Sequence, residues 1–177
     1  IESTGPMPFV DFMQRALYDP ENGYYSTGKA RIGNRGDFFT AVSVGPLFGT
    51  LLARQFLQMW ERLGSPSHWT LVEQGAFDGQ LAADILHALQ RLNPSCFAAT
   101  TLHLVEPFPL LEEKQRQKLD AFAHKTRWCR SLKDLPRFRG VHYSNELLDA
   151  FPIHRIRRTR EAWCELRVAS EDARFFW

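Results

Sequence analysis

The sequence has little cysteine: Cys96, Cys129 and Cys164 are far apart and odd in number. That spacing excludes a disulfide framework and a cysteine zinc pattern, and it fits a reducing compartment. No apolar run approaches the ~20 residues that a membrane-spanning helix needs. The opening IESTGPMPF has neither the basic nor the apolar region of a signal peptide. An excess of one charge is also missing, since 22 Lys and Arg against 20 Asp and Glu leave +2. That is too mild to demand nucleic acid, and no nucleic-acid partner is expected. The six histidines are scattered and none forms H-E-x-x-H, so no metal site is expected. Internal repeats, low-complexity tracts and clear linkers are absent. What remains is an ordinary globular composition, 44% hydrophobic and 24% charged over 177 residues, enough for a real core.

Two helix patterns come first. PFVDFMQRALYD repeats its apolar residues at Phe9, Phe12, Met13, Ala16 and Leu17, the stripe of an amphipathic helix. Residues 45–64 read as a second helix, after a Gly- and Asn-rich loop over 20–40 that is long enough to imply a task. The pattern then changes. Strands are expected at 69–73, 101–106, 126–130 and 140–146, with helices at 80–92 and 109–119 between them, and IHRIRRT with AWCELRV as a closing strand pair. This alternation predicts an α/β fold, a parallel sheet covered by helices. The organisation expected is an N-terminal helical appendage with a covering loop over 1–64 and a Rossmann-like core over 65–177. The basic run HRIRRTR (154–160) reads as a solvated edge strand.

The stretch that carries chemistry is TLVEQGAFDGQLAADILHAL, 70–89. It runs from a strand through a turn with Gly75 and Gly79 into a helix, yet it is neither G-x-G-x-x-G nor a phosphate-binding G-x-x-x-x-G-K-[ST] loop, and it holds no lysine. Ligands of open parallel sheets sit beyond the carboxyl ends of the strands. There the sequence places acids: Glu73, Glu106, and Asn145-Glu146 with Asp149 just after. Asp78 in the turn adds another. Acids repel a pyrophosphate, which wants backbone N–H groups and cations. They attract a ligand with a sulfonium, an ammonium and a ribose diol, as S-adenosylmethionine has. Glu106 alone does not choose between that ligand and a dinucleotide, whose ribose also meets an acid there; Glu73, two residues before the first glycine, favours the ammonium. Each acid could instead be a solvated strand end, and the glycines could merely relieve a tight turn.

At these residues the sequence resembles the MidA-type proteins, relatives of a mitochondrial complex I assembly factor, with a class I S-adenosylmethionine-dependent methyltransferase fold. The resemblance runs nearly the whole chain in order: FVDFMQRALYDPENGYY, IGNRGDFFTAVSVGPLFG, VEQGAFDGQLAADIL, LVEP, and SNELLDAFPIHRI, the last matching an N-E-x-x-D-A-x-P signature. Two departures stand out. The usual E-x-G-x-G-x-G reads here Glu73-Gln74-Gly75-Ala76-Phe77-Asp78-Gly79, with Phe77 in place of the middle glycine. Family members are also about twice as long, and the chain closes on three aromatics (RFFW), so the natural protein is expected to continue beyond Trp177.

The resemblance implies transfer of a methyl group to a protein arginine. In that reading Glu73, Gly75, Ala76, Asp78 and Gly79 hold the methionyl end and Glu106 holds the ribose. Asp37, Phe38 and Thr40 cover the cofactor, with one of the adjacent Phe38 and Phe39 lining the pocket. Asn145, Glu146 and Asp149 face the acceptor, as catalytic residues. The cytoplasm is the expected compartment for a bacterial chain and the mitochondrial matrix for a eukaryotic one. A homodimer is a further expectation, because a sheet without its later strands exposes an edge. Open alternatives are a non-catalytic binding or assembly module, a methyltransferase for RNA or a small molecule, and an NAD-linked dehydrogenase.

Overall fold

The computed structural model describes residues 1, 5–31, 33, 36–172 and 174–177. Within the loop motif IGNRGDFFT, Ile32, Asn34 and Arg35 therefore lie outside the described residues. The chain forms two compact units, one of Ile1–Ala30 with Leu148–Trp177 and one of Arg31–Leu147. The expected boundary at 64/65 falls inside the second unit, between a helix and the first strand of its sheet.

The second unit is a four-stranded parallel sheet with helices. Its strands are β2 (Trp69–Gln74), β3 (Thr100–Val105), β4 (Thr126–Cys129) and β5 (Gly140–Ser144), in the order β4-β3-β2-β5. The chain steps from β2 outward through β3 to β4, then returns to the other side of β2 for β5. The order thus reverses between β2 and β5, and such a reversal opens a crevice at the carboxyl ends of the strands.

Helix α2 (Leu47–Arg62) lies against α3 (Gln80–Leu92). It buries Gly49, Ala53, Phe56 and Trp60, one stripe at helical spacing. Gly49 permits the close approach, for a Cβ there would stand 2.5 Å from Asp84 Cβ. So α2, expected as part of an appendage, belongs to the core, where Phe56 and Trp60 join Trp69, Leu71, Ile85, Leu86, Leu89, Leu102 and Leu104. Helix α5 (Pro109–Lys118) is polar and buries only Leu111 and Gln115. Strand β2 is buried at four of its six residues and half-buried at the other two, as a central parallel strand should be.

The first unit contains α1 (Phe9–Tyr18), preceded by the two-residue strand β1 (Met7–Pro8). β1 pairs antiparallel with β8 (Arg167–Glu171), which pairs with β9 (Arg174–Phe176). β6 (Ile156–Arg158) and β7 (Trp163–Glu165) form an antiparallel ribbon. AWCELRV is therefore two strands rather than one. The break is at Leu166, whose N–H donates to Arg155 O at 2.8 Å while its carbonyl accepts from Phe9 N at 3.2 Å. One side of that residue continues the ribbon and the other starts a new pairing. β6 is exposed along its length, as expected of the basic run. The terminal aromatics pack within the unit: Phe175 meets Phe12 at 5.0 Å, and Arg155 lies 5.1 Å from Phe9 and 4.5 Å from Trp177.

Helix α4 (Pro94–Ala99) is not among the elements expected from the sequence. It is a six-residue helix, too short for a periodicity signal, fixed by Asn93 accepting from Cys96 N at 2.9 Å and by Pro94 at its first position. The limits of α1, α2, α3, α5 and of β2 to β5 fall within two residues of the sequence reading, whereas β6 starts three residues after Ile153 and β1 and β9 were not expected.

Candidate functional site

The glycine turn follows β2 at the crevice. Gly75 and Gly79 hold φ of 76° and 83°, the left-handed region, and Gly79 starts α3 from there. Phe77 adopts φ 50° as well, in the position where the family motif carries glycine. A side chain in that region is strained by roughly 1–2 kcal/mol. Ala76 is buried, and its carbonyl accepts from Gly79 N at 2.8 Å. Asp78 caps the helix start: Oδ1 accepts from Gln80 N at 3.0 Å, and Oδ2 is 3.7 Å from Lys118 Nζ.

The register brings three strand ends to one level. Gln74 lies opposite Val105 and opposite Ser144, so Glu73, Glu106 and Asn145-Glu146 share one rim. The segment after β5 also meets the turn directly, since a Cβ on Gly75 would stand 2.7 Å from Leu147 Cδ1.

Glu73 is buried, 2% exposed, and accepts one hydrogen bond, from Tyr143 Oη at 3.1 Å. Burial pushes its carboxyl up to about 8, opposed by the Tyr143 hydrogen bond and reinforced by the Asp78 charge. Glu73 is thus predominantly protonated at neutral pH, poised to ionise when a cation comes beside it. Tyr143 sits directly across from Glu73 on β5 and packs on Phe56 at 5.1 Å. Burial and the neighbouring carboxyl hold its phenol well above the ordinary range.

Glu106 is also 2% exposed. Its Oε1 accepts from Phe108 N at 3.0 Å and its Oε2 from Gln115 Nε2 at 2.8 Å. Burial raises its pKa, and those two donors oppose the rise. Neither Gln115 nor Tyr143 was singled out in the sequence. The available signals were a polar residue four after the buried Leu111, and alternation that puts Tyr143 on the face of Val141.

The remaining candidates are placed as follows. Asn145 is half-buried and Glu146 exposed, with Glu146 at φ 48°. Asp149, in a 3-10 turn over Leu148–Ala150, is exposed and belongs to the first unit. Thr40 is buried and caps the 3-10 turn Ala41–Val44 reciprocally with Ser43. Asp37 accepts from Arg31 N at 3.3 Å. Phe38 and Phe39 are both more than half exposed, at 51% and 59%. Among the described residues no three His, Cys, Asp or Glu side chains cluster as metal ligands, and no helix is long and apolar enough to cross a membrane.

A family model described as "Putative S-adenosyl-L-methionine-dependent methyltransferase" matches residues 51–176. The mouse "Protein arginine methyltransferase NDUFAF7, mitochondrial" is 32% identical over 99% of this chain and 46% of its own length. The Drosophila melanogaster homologue is 31% identical over 97% of this chain and 44% of its own. A crystal structure of a COG1565 superfamily member and likely methyl transferase from Burkholderia thailandensis, bound to S-adenosyl-homocysteine, superposes with TM-score 0.80 at 35% identity, over 99% of this chain and 46% of that one. The chain spans less than half the length of these relatives. With most of its residues under that one family description, and with the parallel sheet and glycine turn in the places such a fold requires, the chain belongs to this family of S-adenosyl-L-methionine-dependent methyltransferases.

Proposed function

We propose that this chain carries the cofactor-binding part of an S-adenosylmethionine-dependent methyltransferase that acts on a protein arginine side chain. One observation carries the reading: a lysine-free glycine turn at the sheet's switch point has buried acids, Glu73 and Glu106, at the ends of two neighbouring strands. A pyrophosphate there would face acceptors where it needs donors. An ammonium and a ribose diol would face the acceptors they need. Both acids fit that role, because Glu73 accepts one hydrogen bond and Glu106 two, out of about four lone-pair sites on each carboxylate.

When bound, the cofactor supplies a methyl group on a positively charged sulfur. Glu73, with Gly75, Ala76, Asp78 and Gly79, holds the methionyl end, and Glu106 accepts from the ribose hydroxyls. Asp37, Phe38 and Thr40 cover it. Asn145 and Glu146 orient the acceptor guanidinium, whose planar fork pairs with a carboxylate. With the cofactor in place, an arginine nitrogen would take up its methyl group, and Glu146 would receive the proton that the nitrogen loses. Asp149 is assigned to the acceptor on the resemblance alone. Positioning supplies most of the rate.

The relatives named as protein arginine methyltransferases support the acceptor, and the Burkholderia structure with S-adenosyl-homocysteine supports the cofactor. The mitochondrial names of these relatives support a mitochondrial compartment for a eukaryotic chain, with the matrix, or the cytoplasm for a bacterial chain, as the finer proposal. A homodimer is proposed from the open β5 edge and is checked by sedimentation equilibrium. The test of the activity uses full-length protein, isotopically labelled S-adenosylmethionine and cell lysate, read by mass spectrometry. Label on arginine is expected; label confined to RNA or small molecules overturns the acceptor. Phe77 at φ 50° favours a second reading, a binding module without turnover. That reading predicts heat on titration with S-adenosylmethionine and no labelled product, whereas absence of heat overturns the cofactor itself.

A further inference from the structure

Gln115 is the one polar side chain that α5 buries, and it is wholly inaccessible, at 0% exposure. A buried amide is costly unless its donors and acceptor are met. Here all are met. Nε2 donates to Phe77 O at 3.0 Å and to Glu106 Oε2 at 2.8 Å, and Oε1 accepts from Trp128 Nε1 at 3.0 Å. Turning the amide over would set its oxygen against a carbonyl and a carboxylate, and its NH2 against an indole N–H. The surrounding groups therefore fix its orientation.

The amide joins parts that are distant in sequence. Phe77 belongs to the turn after β2, Glu106 to the end of β3, and Trp128 to β4. α5 lies against the same turn: a Cβ on Gly79 would stand at van der Waals distance, 3.4 Å, from Gln115 Cα. Glu106 is pinned at both oxygens, by Phe108 N and by Gln115 Nε2. Two donors on two oxygens fix the carboxyl plane and leave acceptor capacity on each oxygen, the geometry that a vicinal diol requires.

We infer that Gln115 is a positioning residue that holds the Glu106 carboxyl in the attitude a ribose diol needs and ties the glycine turn to it. The inference rests on the reading of Glu106 as the ribose acceptor. Gln115 does not touch the ligand; it acts through Glu106 and through the Phe77 carbonyl.

The test is the ratio of affinities, by calorimetry on full-length protein, for S-adenosylhomocysteine and its 2′,3′-dideoxy counterpart. The parent protein is expected to prefer the diol. Gln115→Met, similar in size but without the amide, is expected to lower the ratio about tenfold, the scale of a hydrogen bond to a charged group. Trp128→Phe, which removes the indole donor and leaves both Nε2 bonds, keeps the parent ratio. Equal weakening of both ligands by Gln115→Met, or a ratio lost equally in Trp128→Phe, overturns the inference in favour of a purely structural role. Should Gln115→Met not fold, Gln115→Asn reads the same ratio, because its amide is withdrawn by one methylene; an unchanged ratio there overturns the inference. A parent protein that binds the homocysteine compound without preferring the diol instead overturns the reading of Glu106.

Discussion

At the scale of single residues, Glu73 shows what burial does to an acid. Its ordinary value of 4.5 rises to about 8 in the fold, mainly through desolvation. Between those values the folded chain holds a proton that the unfolded chain has released. Its contribution to stability is therefore greatest at low pH, falls as pH rises from about 4.5, and levels off above about 8. Glu73→Gln removes this slope, so its thermal midpoint relative to the parent is expected to rise steadily with pH. A parallel pair of melting curves would refute the assignment. A cation bound beside the carboxyl lowers its pKa, so cofactor binding near neutral pH should release a proton; titrations in buffers of different ionisation enthalpy measure it. Phe77 tests backbone strain in the same turn. Phe77→Ala and Phe77→Gly both remove the ring, but only glycine relieves the left-handed φ of 50°. The glycine variant is expected to be about 1 kcal/mol the more stable in chemical denaturation.

At the scale of elements, the packing of α2 on α3 is governed by a small residue. A Cβ at Gly49 would sit 2.5 Å from Asp84 Cβ, with the Asp84 carbonyl carbon and Ile85 N next at 3.3 Å. The neighbours are backbone and the root of a side chain, which cannot swing aside. Gly49→Ala is expected to cost about 1–3 kcal/mol despite alanine's better helix propensity. A denaturation midpoint equal to the parent's would show that the helices separate freely. The same comparison explains which elements were legible. Residues 80–92 read as a helix because eight of its thirteen positions are buried, and apolar periodicity reports burial. β8 merges with β7 in the sequence reading and β9 is absent from it, because β7 and β9 are short and exposed and β8 buries only Val168, which leaves no buried face to alternate with. Their limits depend on which partner each N–H finds, as at Leu166.

At the scale of the whole molecule, the two units are built differently. One joins both ends of the chain, and the other is the continuous segment Arg31–Leu147, which holds the entire main hydrophobic cluster. A continuous segment with its own core is expected to fold alone. Residues 31–147 produced as a fragment should melt cooperatively and retain affinity for S-adenosylhomocysteine. A fragment without a cooperative transition would show that the core needs the other unit. Glu73, Glu106, Asn145 and Glu146 all lie within this segment, whereas Asp149 does not, so the fragment also separates cofactor binding from any role of Asp149.

The sequence by itself determined the alternation of strands and helices, the acids at the strand ends and the turn between Gly75 and Gly79, because periodicity, residue type and spacing are local properties of a chain. Only the tertiary structure decided that α2 joins the core, that Tyr143 lies across from Glu73, and that Gln115 reaches both Phe77 and Glu106. Those facts depend on strand order and on the approach of segments up to 70 positions apart. The state of Glu73 was equally out of reach, because an acid's charge depends on how much water the fold leaves around it.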